Sequence, residues 1–325
     1  MLLNKLILIE LKKIFHKKSI YVIYILILIF VILNNILILQ DKSKNNYLNE
    51  AKYQYQKNLE LKESYKNKKL SYNEKLKYQT ILENMELNKY IIDNNKNIND
   101  YKTLNYQLKT TLEDYEIFII IIILITSSTI ISNELKEGTI KLLLIKPYTR
   151  NQILLSKYLS MIIVMVLSII YLYLTQLLIG GFYLGFSSLQ EKVVIYNFQL
   201  STIMCYNIFG YTFLRILLKL PMLILLSTLS FLISIITSNN ILSLTISLIV
   251  YIFSASIKSL AINYNLKIMK YLLTMNWNIN EYLFGKLSEY KYLNLTTSII
   301  ICIIYYIFLL VLSFIIFNKK DIKNI

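Results

Sequence analysis

The chain has 325 residues, 56% of them apolar, and a mean hydropathy of +0.51, where a soluble domain averages about 45–50% apolar. Its net charge of +16 is almost all lysine, Arg150 and Arg215 being the only arginines, and no basic cluster accompanies a nucleic-acid-binding motif. These values exclude an ordinary soluble domain and give nucleic acid no place among the partners; the lysines mark loop orientation and membrane surface.

Leu3, Leu6, Ile7, Leu11, Ile14 and Phe15 recur at helical spacing, with Lys5, Glu10, Lys12, Lys13 and Lys17 between them. The pattern predicts an amphipathic helix over 1–18 that lies in the membrane interface with its apolar face in lipid. Residues 19–39 are an uncharged run long enough to cross a bilayer core. No small-residue cleavage site follows Leu39, so the run reads as a retained first span and not a signal peptide.

Residues 40–116 differ in character: Lys, Glu, Asn and Tyr abound, and Gly and Pro are absent. Without those breakers the segment is expected to be helical. Leu59, Leu70, Leu76, Ile81, Leu82, Met85 and Leu87 supply a weak seam between antiparallel helices, with a break over 93–100. Both a ligand-handling surface and a plain solvated helix pair fit that composition.

Five further apolar runs follow, at 117–133, 158–180, 213–236, 240–261 and 295–317. The fold class is therefore all-α: a polytopic membrane protein with six transmembrane helices, an N-terminal interfacial helix and a helical extracytoplasmic insert between spans one and two. Lysine and arginine in short segments set orientation, and the insert is too long to count. Residues 1–18, the segment 134–157 and the tail 318–325 are rich in them. Six spans place all three on one side, so both termini are expected in the cytoplasm.

The runs 181–212 and 262–294 are then outer loops. In the second, "MNWNINEYLF", with Trp277, Tyr282 and Phe284, reads as a short half-inserted helix. Arg215 and Lys219 are four apart, on one face of the fourth span near its outer end. Two roles fit them: snorkelling to the interface, or lining a substrate pathway. Pro221 is expected to kink that helix or mark its first turn. Hydroxyls in the second span (Thr126, Ser127, Ser128, Thr129, Ser132) and the fifth (Ser243, Thr245, Ser247, Ser254, Ser256) suit close helix packing.

The tools of catalysis are scarce. A phosphate-cradling loop needs G-x-x-x-x-G-K-[ST]; the closest spacing is Gly180 to Gly185, followed by Phe186 where Lys is required. His16 is the only histidine, so no His-based metal site or triad can be built. Cys205 and Cys302 sit in apolar surroundings, far apart, and read as buried free thiols. No cofactor is expected on this chain, which reads as a non-enzyme with no metal site.

Between spans two and three runs "NELKEGTIKLLLIKPYTRNQILLSKYLS", from Asn133 to Ser160. It resembles the cytoplasmic loop of ABC-2 type transporter permeases, the membrane subunits of bacterial exporters that include bacitracin-resistance and lantibiotic-immunity members. The residues that carry the resemblance are Glu137, Gly138, Thr139, the run 142–145 with Leu142 and Leu143, then Pro147, Arg150 and Lys157. The resemblance implies a bacterial plasma-membrane protein whose loop docks on a separate P-loop ATPase, which binds the ATP, and which pairs with a second permease, identical or paralogous. Glu137, Gly138, Thr139, Leu142, Leu143, Pro147 and Arg150 are then the candidate coupling residues. Gly138 suits a left-handed helix end, Pro147 the first turn of the next helix, and Glu137 and Arg150 charge-assisted contacts with the partner. The long outer helical insert suggests an amphiphilic compound or peptide as substrate, handled near the outer membrane face. A membrane sensor of an extracellular ligand is the alternative reading.

Overall fold

The structure, a computed structural model, describes residues 2–41, 46–66, 68–141 and 147–320. In chain order its helices are α1 (Leu2–Phe15), α2 (Lys18–Gln40), α3 (Tyr47–Ser64), α4 (Tyr72–Asn94), α5 (Leu104–Asp114), α6 (Glu116–Lys136) and α7 (Arg150–Leu184). A hairpin of β1 (Val193–Asn197) and β2 (Thr202–Tyr206) precedes α8 (Ile208–Thr237), α9 (Asn240–Asn263), α10 (Leu273–Asn276) and α11 (Leu295–Lys319). Among the described residues six helices are long and apolar enough to cross a membrane: α2, α6, α7, α8, α9 and α11.

The central helix is α6, which packs on α7, α8 and α9 and touches α2. Its hydroxyls explain how it is tolerated there. Thr126, Ser127, Ser128 and Ser132 are buried, and each donates to a carbonyl one turn earlier on its own helix. The small side chains let neighbours approach while their polar atoms stay satisfied. Hydroxyl pairs also cross between helices, Tyr158 to Thr228 at 3.0 Å and Ser230 to Ser243 at 3.1 Å.

The third span begins at Arg150 rather than near 158. Thr149 accepts from the Gln152 amide at 3.2 Å, and the Gln152 side chain accepts from the Thr149 amide at 3.1 Å. That reciprocal cap starts the helix, and Pro147 lies before it instead of in its first turn. The 35 residues of α7 run about 52 Å at 1.5 Å per residue, well beyond a ~30 Å hydrocarbon core. Pro221 sits in the interior of α8, not in its first turn; Asn207 caps that helix further upstream.

Among its described residues the insert is mainly helical, with α3 packed on α4. The chain turns before Ser71, whose capping box with Glu74 opens α4, and again from Asn95, which takes a left-handed φ of 50°. The 181–212 segment is more than a loop: β1 and β2 pair from Val193↔Tyr206 to Asn197↔Thr202. Cys205 lies on the exposed side of β2, while Cys302 is buried, and both thiols are free.

Two interfacial expectations change. α1 packs on α7 and buries Leu6, Glu10 and Ile14, whereas Leu8 and Ile9 are exposed; its inward stripe holds a charge at its middle. Trp277 is buried in the main core, beside the four-residue α10, because the 264–294 segment folds down onto the bundle through short 3-10 turns.

Candidate functional site

The two ends of the bundle carry different chemistry. At the α1 end, Glu10, Lys13 and Lys17 fall on one face of the first helix and its exit turn. Glu134 is in the last turn of α6, and Lys157 is two turns into α7. The Lys157 ammonium lies 2.9 Å from Glu10 and 2.8 Å from Glu134, and also donates to the Ile130 carbonyl at 3.2 Å. Lys13 lies 3.0 Å from Glu10 and 2.8 Å from Glu134. Each carboxylate thus bridges two lysines, and three helices meet at four side chains.

The electrostatics follow the placement. Burial disfavours the Lys13 ammonium, but Glu134 and Glu10 outweigh it and hold the pKa above its ordinary value. Lys17 goes the other way: burial first, then repulsion from Lys157, lowers its pKa to about 8. Its ammonium donates to Thr129 on α6 at 2.6 Å.

Beside this cluster the chain leaves α6. Glu137 caps the helix and is exposed. Gly138 follows with a left-handed φ of 67°, its amide donating to the Leu135 carbonyl at 3.3 Å. Thr139 is exposed and Ile140 is fully buried in the main core. Leu142 and Leu143 lie outside the described residues. Pro147 is exposed. Arg150, however, turns inward to its own chain: its guanidinium donates to the carbonyls of Asn318 at 2.8 Å and Lys320 at 3.2 Å. It thereby satisfies carbonyls left open at the end of α11. Lys320 in turn donates to the Ile235 and Ile236 carbonyls and to Ser238 at the end of α8. Two basic side chains thus link α7 to α11 and α11 to α8.

At the insert end, Arg215 and Lys219 are both paired. Arg215 binds Glu113 and donates to the Tyr211 hydroxyl at 2.9 Å. Lys219 lies 2.7 Å from Glu116, which also accepts from Tyr251 at 3.2 Å. Lys258 pairs with Glu281 and, at 3.1 Å, with Glu289. Lys219, Glu116, Lys258 and Glu281 line a cavity of about 580 Å³ floored by Met222 and Trp277. An adjoining cavity of about 320 Å³ includes Arg215 and Asn280. Among the described residues no His, Cys, Asp and Glu cluster could hold a metal ion.

Sequence reasoning named Arg150, Arg215 and Lys219 but missed Glu10 and Glu134 as partners of Lys157, and Lys13 as the second cation on both carboxylates. One signal was available: Glu10 shares a face with Leu6 and Ile14, where an interfacial helix should be apolar.

Six spans around a hydroxyl-rich core, with charge confined to the two ends, define a multi-pass helical membrane protein. Residues 5–322 match the family described as ABC-2 family transporter protein, and the chain belongs to that family. It is a membrane component of a transporter. It is similar to the uncharacterized protein YhcI of Bacillus subtilis (strain 168), with 28% identity over 244 residues, covering 74% of this chain and 76% of that one. No solved structure matches it.

Proposed function

We propose that the chain is the permease subunit of an ATP-driven exporter, with ATP bound and hydrolysed on a separate P-loop subunit that docks on residues 137–150. The supporting observation is mechanical. Glu137, Thr139 and Pro147 are exposed, but the segment holding them is fixed at both ends. Ile140 sits in the core, the Lys157 cluster holds α6, α7 and α1 together, and Arg150 and Lys320 tie α7 to α11 and α8. A displacement applied there reaches five helices through the buried Lys157 contacts and the more exposed bonds of Arg150 and Lys320. Arg150 acts in this reading within the subunit, and Glu137 remains the charged group open to a partner.

In this reading both termini are cytoplasmic, the insert and the polar cavities face outward, and two permeases, identical or paralogous, enclose one pathway. Nucleotide-driven closure of the ATPases rocks the spans, and it must favour one state by several kcal/mol over the other. The permease performs no chemistry itself. The substrate class is an amphiphilic compound or peptide, such as an antibiotic, handled near Lys219, Glu116 and Lys258. The test is co-expression with a candidate ATPase and the variant Glu137→Lys. Copurification and substrate-stimulated ATP hydrolysis should both fall; survival of both unchanged sinks the docking assignment. Accumulation of labelled substrate in proteoliposomes separates an exporter from a membrane sensor, which needs none.

A further inference from the structure

The insert is joined to the bundle unevenly. Its last helix, α5, is built in: Leu104 and Leu108 belong to the apolar cluster of Val193, Ile208 and Tyr211. The pair α3 and α4 is not. It buries Ala51, Ile81, Met85 and Ile91, yet none of its described residues joins the apolar clusters of the bundle and the outer loops. α3 packs on α4, and α4 touches β1. The irregular stretch 95–103 separates the pair from α5 and begins with the left-handed Asn95. At that end Lys96 pairs with Glu191 at 3.0 Å.

The first half of α4 is held down by polar links that all end on one short strap, residues 286–288. The Tyr72 hydroxyl donates to the Ser288 carbonyl at 2.6 Å, Gln79 accepts from the Leu287 amide at 3.1 Å, and Glu83 pairs with Lys286 at 2.9 Å. The strap itself is fixed to the bundle side. Phe284 and Gly285 just before it take left-handed φ angles of 58° and 81°, and a side chain at Gly285 would collide with Gln199. The Phe284 carbonyl accepts from the Phe198 amide at 2.9 Å, and the Ser288 hydroxyl donates to Glu281 at 3.3 Å. Partly exposed links such as those of α4 are individually weak. A unit with few apolar contacts to its surroundings opens more readily than the core does.

Beneath α4 lies space. A cavity of about 390 Å³ is lined by Leu76, Thr80 and Glu83 on one side and by Leu287 and Glu289 on the other. A second, of about 330 Å³, lies between Tyr72 and the end of α9 at Asn263. Both reach Glu289, which also lines the 580 Å³ cavity of Lys219 and Lys258. We propose that α3 and α4 form a lid over that larger cavity, swinging off residues 286–288 about the stretch 95–103 so that an exported amphiphile can leave. The release of substrate rests on the exporter reading; the movement of the lid does not. In this structure the lid is shut, with its links to the strap made.

The test uses the full chain in nanodiscs, with the exposed thiol removed by Cys205→Ser. Spin labels are placed at Lys75→Cys on α4 and Ile268→Cys on the outer loop, both exposed, and pulsed electron paramagnetic resonance reads the distance between them. Glu83→Lys, which sets two ammonium groups against each other, should raise the long-distance population about threefold or more over its parent. Adding Lys286→Glu reverses the pair and should return the distribution to that of the parent, which separates a released lid from a misfolded one. A distribution left unchanged by Glu83→Lys overturns the lid. A second measurement places Ser254→Cys in the large cavity and follows its reaction with fluorescein maleimide. Glu83→Lys should speed labelling about threefold or more, in step with the open population, and the reversed pair should restore the parent rate. Equal rates in all of them overturn the lid as a cover for that cavity. Neither measurement uses substrate or ATPase, so a failed lid leaves the exporter reading standing, and a failed exporter reading leaves the lid decided.

Discussion

Lys157 and Glu10 are 147 positions apart in the chain and 2.9 Å apart in the bundle, with the ammonium fully buried and the carboxylate nearly so. Such a pair is costly to form, because both ions lose their water, and more costly to break. Lys157→Met should therefore destabilise the protein by up to about 3 kcal/mol, since it leaves Glu10 and Glu134 to share the partly exposed Lys13 as their one remaining cation. Combining it with Glu10→Gln should recover part of that loss. Thermal unfolding in detergent reads both, and equal midpoints for wild type and Lys157→Met would refute the cluster.

Arg150 and Lys320 close the ends of two helices. Arg150→Ala should cost about 0.3–1 kcal/mol, the range for losing a cation at a helix C-terminus, and Lys320→Ala a similar amount. Because Arg150 binds the Lys320 carbonyl and not its side chain, the double variant should show coupling only through the shared tail. Non-additivity above about 0.5 kcal/mol in a double-mutant cycle would show that the two caps act as one unit.

Lys17 predicts a pH effect with a definite sign. Its folded pKa of about 8 lies below the ordinary 10.5, so between those values the unfolded chain binds more protons. Stability contributed by this group rises with pH across that window. The midpoint of wild type relative to Lys17→Met should thus increase from pH 8 to pH 10, and a constant gap would mean that Lys17 is as well hydrated as a surface lysine.

Two glycines predict opposite signs. Gly138 holds a left-handed φ of 67°, so Gly138→Ala should cost about 1–2 kcal/mol. Gly210 lies inside α8 with open space where a side chain would begin, so Gly210→Ala should stabilise by up to ~1 kcal/mol. If docking on 137–150 couples the ATPase, only the first should lower substrate-stimulated ATP hydrolysis, measured at a temperature where both variants remain folded.

Much of the fold was legible from composition. The uncharged runs at 19–39 and 295–317 became α2 and α11 within two residues at either end, because a bilayer sets a length that sequence can meet or fail. Boundaries set by capping were harder to see. The start of α7 moved from 158 to Arg150, because a cap is a matter of two or three hydrogen bonds at Thr149 and Gln152 and not of hydropathy. The hairpin of β1 and β2 was missed for a related reason: "VVIYN" and "TIMCY" are each five residues long, too short for periodicity to separate a strand from the start of a span.

The site divides in the same way. Arg150, Arg215 and Lys219 stand out in the sequence as rare charges beside apolar runs. Their partners, the Asn318 and Lys320 carbonyls, Glu113 and Glu116, depend on which helices lie side by side. The sequence by itself determined that this chain carries six segments long and apolar enough to cross a membrane, because hydrophobic length is a local property. Only the tertiary structure decided that Glu10, Glu134 and Lys157 share one buried site, that Arg150 faces its own last helix, and that α4 rests on residues 286–288. Those are distances between distant segments, and they follow from how the helices pack against one another.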